Sequence, residues 1–335
     1  MAEAKYDVLA IGNAIFDVFA QTDEKFLADH GMAKGSMALI DEARATAIYR
    51  DMGPATEVSG GSAANTIVGV ASFGARAAYV GKVKDDQIGK LYSHDIRAAG
   101  VAFETTAAKD GPATGCSYIL VTGDGERTMN TYLGAAQDLH PRDLDEEQIA
   151  SAAITYLEGY LWDPKNAKEA FRQAATIAHA AGRKVALTLS DSFCVGRYRA
   201  EFLDLIKSRT VDLVFANESE LLALYETSDF DTALTQLRKD AVLAAVTRSE
   251  KGCVVASSAE VVAVPAFPVD KLVDTTGAGD LFAAGFLFGL ARGASYRSCG
   301  ELGALAANEV IQHLGARPEI SLKSLAASRG IRVPA

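Results

Sequence analysis

From about residue 75 onward, short apolar runs alternate with longer segments of helical spacing, and this rhythm constrains the fold more than any other feature. AAYVG (77–81) precedes DQIGKLYSHDIRAAG (86–100), and AITYLEG (153–159) precedes the alanine-rich PKNAKEAFRQAATIAHAAG (164–182). KVALTLS (184–190) precedes RAEFLDLIKSR (199–209), and VDLVFAN (211–217) precedes ESELLALYE (218–226). Two of the helical segments stop on Gly100 and Gly182, residues suited to a helix C-terminus. Such alternation predicts parallel strands joined by right-handed crossovers, with helices on both faces of one doubly wound α/β sheet. An apolar run at 7–11 that halts at Gly12 supplies a first strand. Ligands in such sheets bind at the carboxyl ends of the strands, where the loops 12–17, 59–62, 190–194 and 274–280 are expected to gather.

Two stretches break the rhythm. Residues 13–56 and about 104–136 hold short β-like pieces such as SMALI and CSYILVTGDGERTMNTYLG, with a hairpin tip at Gly123-Asp124-Gly125. They are expected to form a small accessory sheet, a lid over the site, inserted in a single domain spanning 1–335. At 335 residues the length permits one large domain or two smaller ones, and neither a repeat nor a Pro/Ser-rich linker divides the chain.

The run Asp274-Thr275-Thr276-Gly277-Ala278-Gly279-Asp280 carries the most chemistry. A glycine-rich turn feeding an apolar helix offers unpaired amides and the positive end of a helix dipole, which attract an anion. Asp280 then has two readings: a helix N-cap, or a base that takes the proton of a hydroxyl attacking a phosphoryl group held over the turn. No GxxxxGK[ST] occurs, and Gly277-x-Gly279 is followed by Asp280-Leu281-Phe282, so the P-loop and dinucleotide fingerprints both fail.

The totals narrow the class further. A net charge of −10 argues against a general nucleic-acid or membrane-surface binder. Cys116, Cys194, Cys253 and Cys299 lie far apart, so neither a disulfide framework nor a zinc site is expected, and a reducing cytoplasm is the simpler location. The start lacks the character of a signal peptide, and no run nears the roughly 18 apolar residues of a membrane span. His30, His94, His140, His179 and His313 suggest neither a metal site nor a triad.

Two separated blocks carry a family resemblance: EVSGGSAANTIVGVASFGARAAYVGKVKDDQIG (57–89), with Gly60-Gly61 and Asn65, and DTTGAGDLFAAGFLFGL (274–290). The chain resembles the ribokinase-like (PfkB) family of carbohydrate and nucleoside kinases, over nearly its whole length. The resemblance implies a ribokinase-like fold and phosphoryl transfer from ATP, with Mg²⁺ and a response to K⁺. Asp280 would be the base, and the amides of Gly277, Ala278 and Gly279 the anion hole beside Thr275. Within the family, Gly12-Asn13-Ala14-Ile15-Phe16-Asp17 resembles the GN-x-x-x-D of adenosine kinases, which implies that Asn13 and Asp17 bind a ribose. A carboxylate suits a vicinal diol because it accepts two hydroxyl hydrogen bonds. Asp17 as the cap of a strand-to-lid turn is the plainer alternative.

Further positions follow from the same resemblance. Gly60, Gly61 and Ser62 would let backbone approach the sugar, and Asn65 would add a side-chain bond. Arg127, on the lid hairpin, would reach the transferred phosphate, and Leu133, Tyr160 and Leu161 would flank an adenine ring. Asn217 and Glu220 match an N-x-x-E that organises Mg²⁺ and its waters, although the pair also reads as a helix capping box. Thr247 and Gly252 match a T-x-G-x-x-G loop near the ATP phosphates, in which Ser249 replaces the first glycine. Asn308 would border the ATP adenine, or be an ordinary exposed helix residue.

The expected reaction is phosphorylation of a nucleoside 5′-hydroxyl, adenosine to AMP, by a monomer or homodimer. Ribose, fructose, inosine or guanosine is the alternative acceptor. A non-catalytic nucleotide sensor or a dehydrogenase fits less well, since the motif residues are intact and the dinucleotide fingerprint is absent.

Overall fold

A computed structural model describes residues 3–240 and 243–331. Fourteen strands are assigned among them: β1 (Tyr6–Ile11), β2 (Ile15–Gln21), β3 (Met37–Leu39), β4 (Ala55–Gly60), β5 (Ala77–Val80), β6 (Val101–Phe103), β7 (Gly115–Val121), β8 (Arg127–Tyr132), β9 (Ala152–Glu158), β10 (Lys184–Thr188), β11 (Leu213–Asn217), β12 (Leu243–Thr247), β13 (Cys253–Ser257) and β14 (Val261–Val264). They form a nine-stranded sheet in the order β14-β13-β12-β11-β10-β9-β1-β5-β6 and a five-stranded sheet in the order β3-β8-β7-β2-β4. From β6 to β12 every pairing in the large sheet is parallel; β13 and β14 add an antiparallel edge.

The parallel strands are apolar throughout because both faces are covered. In β1, Val8 and Ala10 enter the core under the Ser62–Ser72 and Ala278–Ala291 helices, while Leu9 and Ile11 enter the core under the Lys165–Ala180 and Ser192–Lys207 helices. Strand order reverses around β1, so the carboxyl ends of β1 and β9 open onto a switch point of the kind where α/β sheets bind ligands.

The small sheet is built from the two stretches that interrupt the alternation, with two adjustments. Strand β4 continues past residue 56 to Gly60 and pairs antiparallel with β2, Asp17 opposite Val58. Asp17 therefore lies inside β2 rather than in a 12–17 loop, and it caps no turn. Helices at Glu24–Asp29 and Glu42–Asp51 occupy part of the first stretch, and the hairpin turn does fall at 123–125 between β7 and β8.

The Ala278–Ala291 helix packs across the Tyr296–Val310 helix with very little space between backbones. A side chain at Gly285 would meet the carbonyl of Leu302, and one at Gly303 would meet that of Phe282 at 2.7 Å. Overpacking of a tight core costs about 1–3 kcal/mol. Gly285→Ala should therefore lower the unfolding free energy by about that amount in urea titrations; an unchanged midpoint would contradict this account of the crossing.

Candidate active site

The Ala278–Ala291 helix begins one turn earlier than an Asp280 cap would require. Gly277 is the N-cap, with φ +79° and no side-chain cap bond, which places Asp280 in the first turn. Asp280 is not a cap. Its Oδ1 accepts from Ser62 Oγ at 2.6 Å and its Oδ2 from Asn65 Nδ2 at 3.4 Å. Among the described residues the amides of Gly277 and Gly279 carry no hydrogen bond, whereas that of Ala278 reaches Thr275 O at 3.2 Å. The open amides and the dipole thus stand beside the carboxylate, the arrangement an anion next to a base requires. Burial pushes the Asp280 carboxyl up to about 6, against the two bonds from Ser62 and Asn65.

Facing Asp280 from the small sheet is Asp17, raised to about 7 by burial and by the charge of Asp280, with Arg317 and Arg127 opposing. Gly60 leaves room for it: a side chain there would run into the Asp17 carboxylate. Gly61, at φ +97°, lies against the Asn13 carbonyl, so the end of β4 meets the end of β1 without intervening side chains. Asn13 is buried, and its Nδ2 donates to Glu158 Oε1 at 2.7 Å, while its Oδ1 has no partner among the described residues.

Glu158 is a site residue absent from the sequence reading. It ends β9, is fully buried, and accepts from the Asn13 amide (3.2 Å) and the Ala63 amide (2.8 Å) as well as from Asn13 Nδ2. Burial, opposed by those bonds, holds its carboxyl at about 7. A carboxylate closing the apolar run AITYL at the carboxyl end of a central strand was the available signal.

Arg127 is not the exposed hairpin residue its sequence position suggests. It pairs with Asp274 at 2.7 Å, donates to Thr276 Oγ1 at 3.2 Å, and lies over the Phe19 ring. It ties the small sheet to the 274–280 loop. The neighbouring cavity, about 260 Å³, is lined by Glu126, Arg127, Leu272, Asp274, Thr275 and Thr276 among others, and Thr275 is exposed at its edge.

The remaining positions divide. Leu133 is half-buried after β8, and Tyr160 is 40% exposed, with its hydroxyl donating to Ser190 O at 3.3 Å. Leu161 is corrected: it is fully buried in the core beneath the Lys165–Ala180 helix and presents no surface to a ligand. For Asn308 it is the alternative of an ordinary exposed helix residue that is corrected: the side chain is buried, with Nδ2 donating to Pro268 O at 2.9 Å. Thr247 ends β12, and Gly252 follows with φ +83°. Ser249, which stands where a glycine was expected, adopts φ +51°, so the loop keeps a left-handed residue at that position despite the substitution.

Asn217 and Glu220 form a capping box: Asn217 Oδ1 accepts from the Glu220 amide at 2.9 Å, and Glu220 Oε2 accepts from the Asn217 amide at 3.0 Å. Glu220 is buried, raised to about 7 mainly by that burial, with Asp191 nearby adding to the rise. Among the described residues no group of three or more His, Cys, Asp or Glu side chains is arranged to hold a metal ion. The donor set fits Mg²⁺ only as an ion that keeps its waters and touches this carboxylate through them.

Four carboxyls, Glu158 and Glu220 buried and Asp17 and Asp280 half-buried, thus sit above their unfolded values of about 3.9–4.3: Asp280 at about 6, and Asp17, Glu158 and Glu220 at about 7. Between about pH 4 and 7 the folded state binds more protons than the unfolded chain, so the stability these groups contribute is present at the acid end and is lost as pH rises through 6–7. The thermal midpoint of the ligand-free protein should fall between pH 5.5 and 8, and Asp280→Asn should flatten that fall. A midpoint that climbs with pH would overturn the reading.

Comparison with known proteins gives the same family from several directions. The family model described as pfkB family carbohydrate kinase matches residues 49–322. The chain is 33% identical over 234 residues to the ATP-dependent ribose-1-phosphate kinase of Halopiger xanaduensis, covering 68% of this chain and 72% of that protein. The crystal structure of adenosine kinase from Sinorhizobium meliloti is similar at 58% identity and a TM-score of 0.90, covering 97% of this chain and 100% of the other. A probable sugar kinase protein from Rhizobium etli CFN 42 is similar at 52% identity and a TM-score of 0.92, covering 98% and 100%.

Proposed function

The chain belongs to the pfkB family of carbohydrate kinases, and on that premise we propose that it transfers the γ-phosphoryl group of ATP to the 5′-hydroxyl of adenosine. Enzymes of this family phosphorylate a hydroxyl acceptor, of nucleoside or sugar type. One observation carries the mechanistic part: Asp280 is held laterally by Ser62 and Asn65, beside unbonded amides at the start of its own helix.

In this reading Asp280 accepts the hydroxyl proton as the oxygen attacks phosphorus, and with a carboxyl near 6 it is ionised at neutral pH yet basic enough to matter. The amides of Gly277 and Gly279 face the charge that develops on the phosphoryl oxygens. Arg127 acts through the loop it braces, adding positive potential beside Asp274 and Thr276. Asp17 and the open Asn13 Oδ1 accept from the acceptor's hydroxyls, with Glu158 fixing the Asn13 amide. Mg²⁺, held through water near Glu220, would neutralise charge on the nucleotide phosphates. Residues 13–56 and 104–136 serve as the lid that excludes water, a competing acceptor.

Adenosine is favoured by the 58% identity to an adenosine kinase structure and by the exposed Tyr160 ring near Asp280. A sugar acceptor is the second reading, favoured by the probable sugar kinase at 52% identity and by the polar floor of Asn13, Asp17 and Glu158, with Leu161 withdrawn into the core.

ADP release should be fastest with adenosine among adenosine, inosine, guanosine, ribose and fructose, assayed with Mg²⁺ and K⁺; preference for ribose or fructose over every nucleoside would reject the choice. Asp280→Asn should leave ATP affinity nearly unchanged while turnover drops by about 10²–10⁴-fold. Near-normal turnover in that variant would remove the base from the mechanism. The acid limb of kcat/KM should rise with pH between about 6 and 7, where Asp280 and Asp17 lose their protons.

A further inference from the structure

Arg317 has no role in the reaction as described, yet its guanidinium is a largely buried cation of the cleft. It follows the Tyr296–Val310 helix, and its side chain is 16% exposed. The guanidinium donates from Nη2 to Ser59 Oγ at 2.9 Å, from Nη1 to Asp95 Oδ2 at 3.4 Å and from Nε to Asn65 Oδ1 at 3.4 Å. Asp95 also accepts from the Ser59 amide at 2.9 Å, so three segments meet on this one side chain.

Its neighbours reach the other side of the site. The Gly315 amide donates to Asp274 Oδ2 at 3.1 Å, and that same oxygen pairs with Arg127. Ala316 packs on Gly277, where an added side chain would come within 2.7 Å of the Ala316 Cα. Residues 315–317 therefore touch the anion loop with two residues and the acceptor side with the third.

The contact with Asn65 has a direct chemical consequence. A carboxamide presents an acceptor at one end and donors at the other. With Arg317 donating to Oδ1, the Nδ2 end is turned to Asp280, where it supports the carboxylate. Without that donor the amide is free to rotate and set its oxygen against Asp280, replacing an attraction by a repulsion. Arg317 is also the leading opposing charge for Asp17. A buried guanidinium with a single ion-pair partner at 3.4 Å is a poor stability device, since desolvation offsets most of the attraction.

Resting on the kinase reading above, we propose that Arg317 is a positioning residue of the acceptor site: it fixes the orientation of Asn65 toward Asp280 and supplies the positive charge opposite Asp17. The groups facing Asp17 are Arg317, Arg127 and Asp280, with Tyr92 and Cys116 nearby; those facing Arg317 are Asp95 and Tyr92, Tyr79 and Asp17.

Arg317→Met and Arg317→Lys separate charge from fork geometry. Arg317→Met should raise the acceptor KM roughly tenfold, the scale of one charged hydrogen bond, leave the KM for ATP within about twofold, and move the acid limb of kcat/KM to higher pH. Arg317→Lys should keep the acid limb in place but not restore the acceptor KM, because an ammonium lacks the planar fork. A folded Arg317→Met with unchanged acceptor KM and unchanged acid limb overturns the proposal. If Arg317→Met does not fold, Arg317→Lys decides: an unaltered acceptor KM overturns it. If the wild-type protein consumes ATP with none of the acceptors, the kinase reading fails separately. Arg317 is then judged by ¹³C carboxyl titration of Asp17, assigned with Asp17→Asn. That titration should move to higher pH in the variant lacking the charge (Arg317→Met, or Arg317→Gln where that one does not fold), and an unmoved titration overturns the proposal.

Discussion

The hydroxyl of Ser62 and the carboxamide of Asn65 hold a carboxylate that comes from the opposite end of the chain, and the rest of the site is arranged around that hold. A first-turn Asp ordinarily folds back on its own helix amides, where dipole and hydrogen bonds both favour it. Here Asp280 is drawn sideways, and the Gly277 and Gly279 amides stay open. The hold depends on two helices lying almost in contact: a side chain at Gly69 would meet Leu281 and Ala284 at 2.7 Å. Core packing on one face of the large sheet thus places the Asp280 carboxylate, and its sideways hold leaves the Gly277 and Gly279 amides open.

The electrostatics follow from the same crowding. Asp17, Glu158 and Asp280 share one cleft, and burial raises all three. Like charges at close quarters in a poorly solvated site resist ionising together. Arg317 and Arg127 offset part of that cost, but each is also committed to neighbours that fix the local backbone, Ser59 and Asn65 in one case, Asp274 and Thr276 in the other. In the proposed reaction, hydroxyl donors arriving with an acceptor would relieve part of that cost by bonding to the carboxylates. Stability is sacrificed where binding needs unsatisfied acceptors.

Much of this was legible in the sequence because the signals were local. Strand and helix periods alternate, and DTTGAGD joins two glycines to an acid within seven residues. What escaped were pairings across distance. Glu158 reads as the polar end of an apolar strand, and nothing in AITYLEG says that Asn13 and Ala63 will converge on it from 145 and 95 residues away. Arg317 follows a plain Gly-Ala turn, and its partners lie more than 200 positions earlier. Leu161 failed for a different reason: an apolar residue beside a site is as easily core as lining, and one residue of register separates it from the exposed Tyr160. Ser249 looked like a lost glycine, yet the loop bears the cost of its positive φ.

The capping box at Asn217 and Glu220 is compatible with the metal-organising role proposed for the same motif. In the capping box Glu220 Oε2 accepts from the Asn217 amide, and beside it Oε1 accepts from Asn217 Nδ2. The same bonds hold a buried carboxyl, raised to about 7, in one orientation beside Asp191. A group so placed gains more from a nearby cation than a solvated carboxylate does, because water screens it less. It also cannot swing out to ligate directly without breaking the cap. A divalent ion of the proposed reaction would therefore be drawn to Glu220 by charge, through its waters, rather than gripped by the protein.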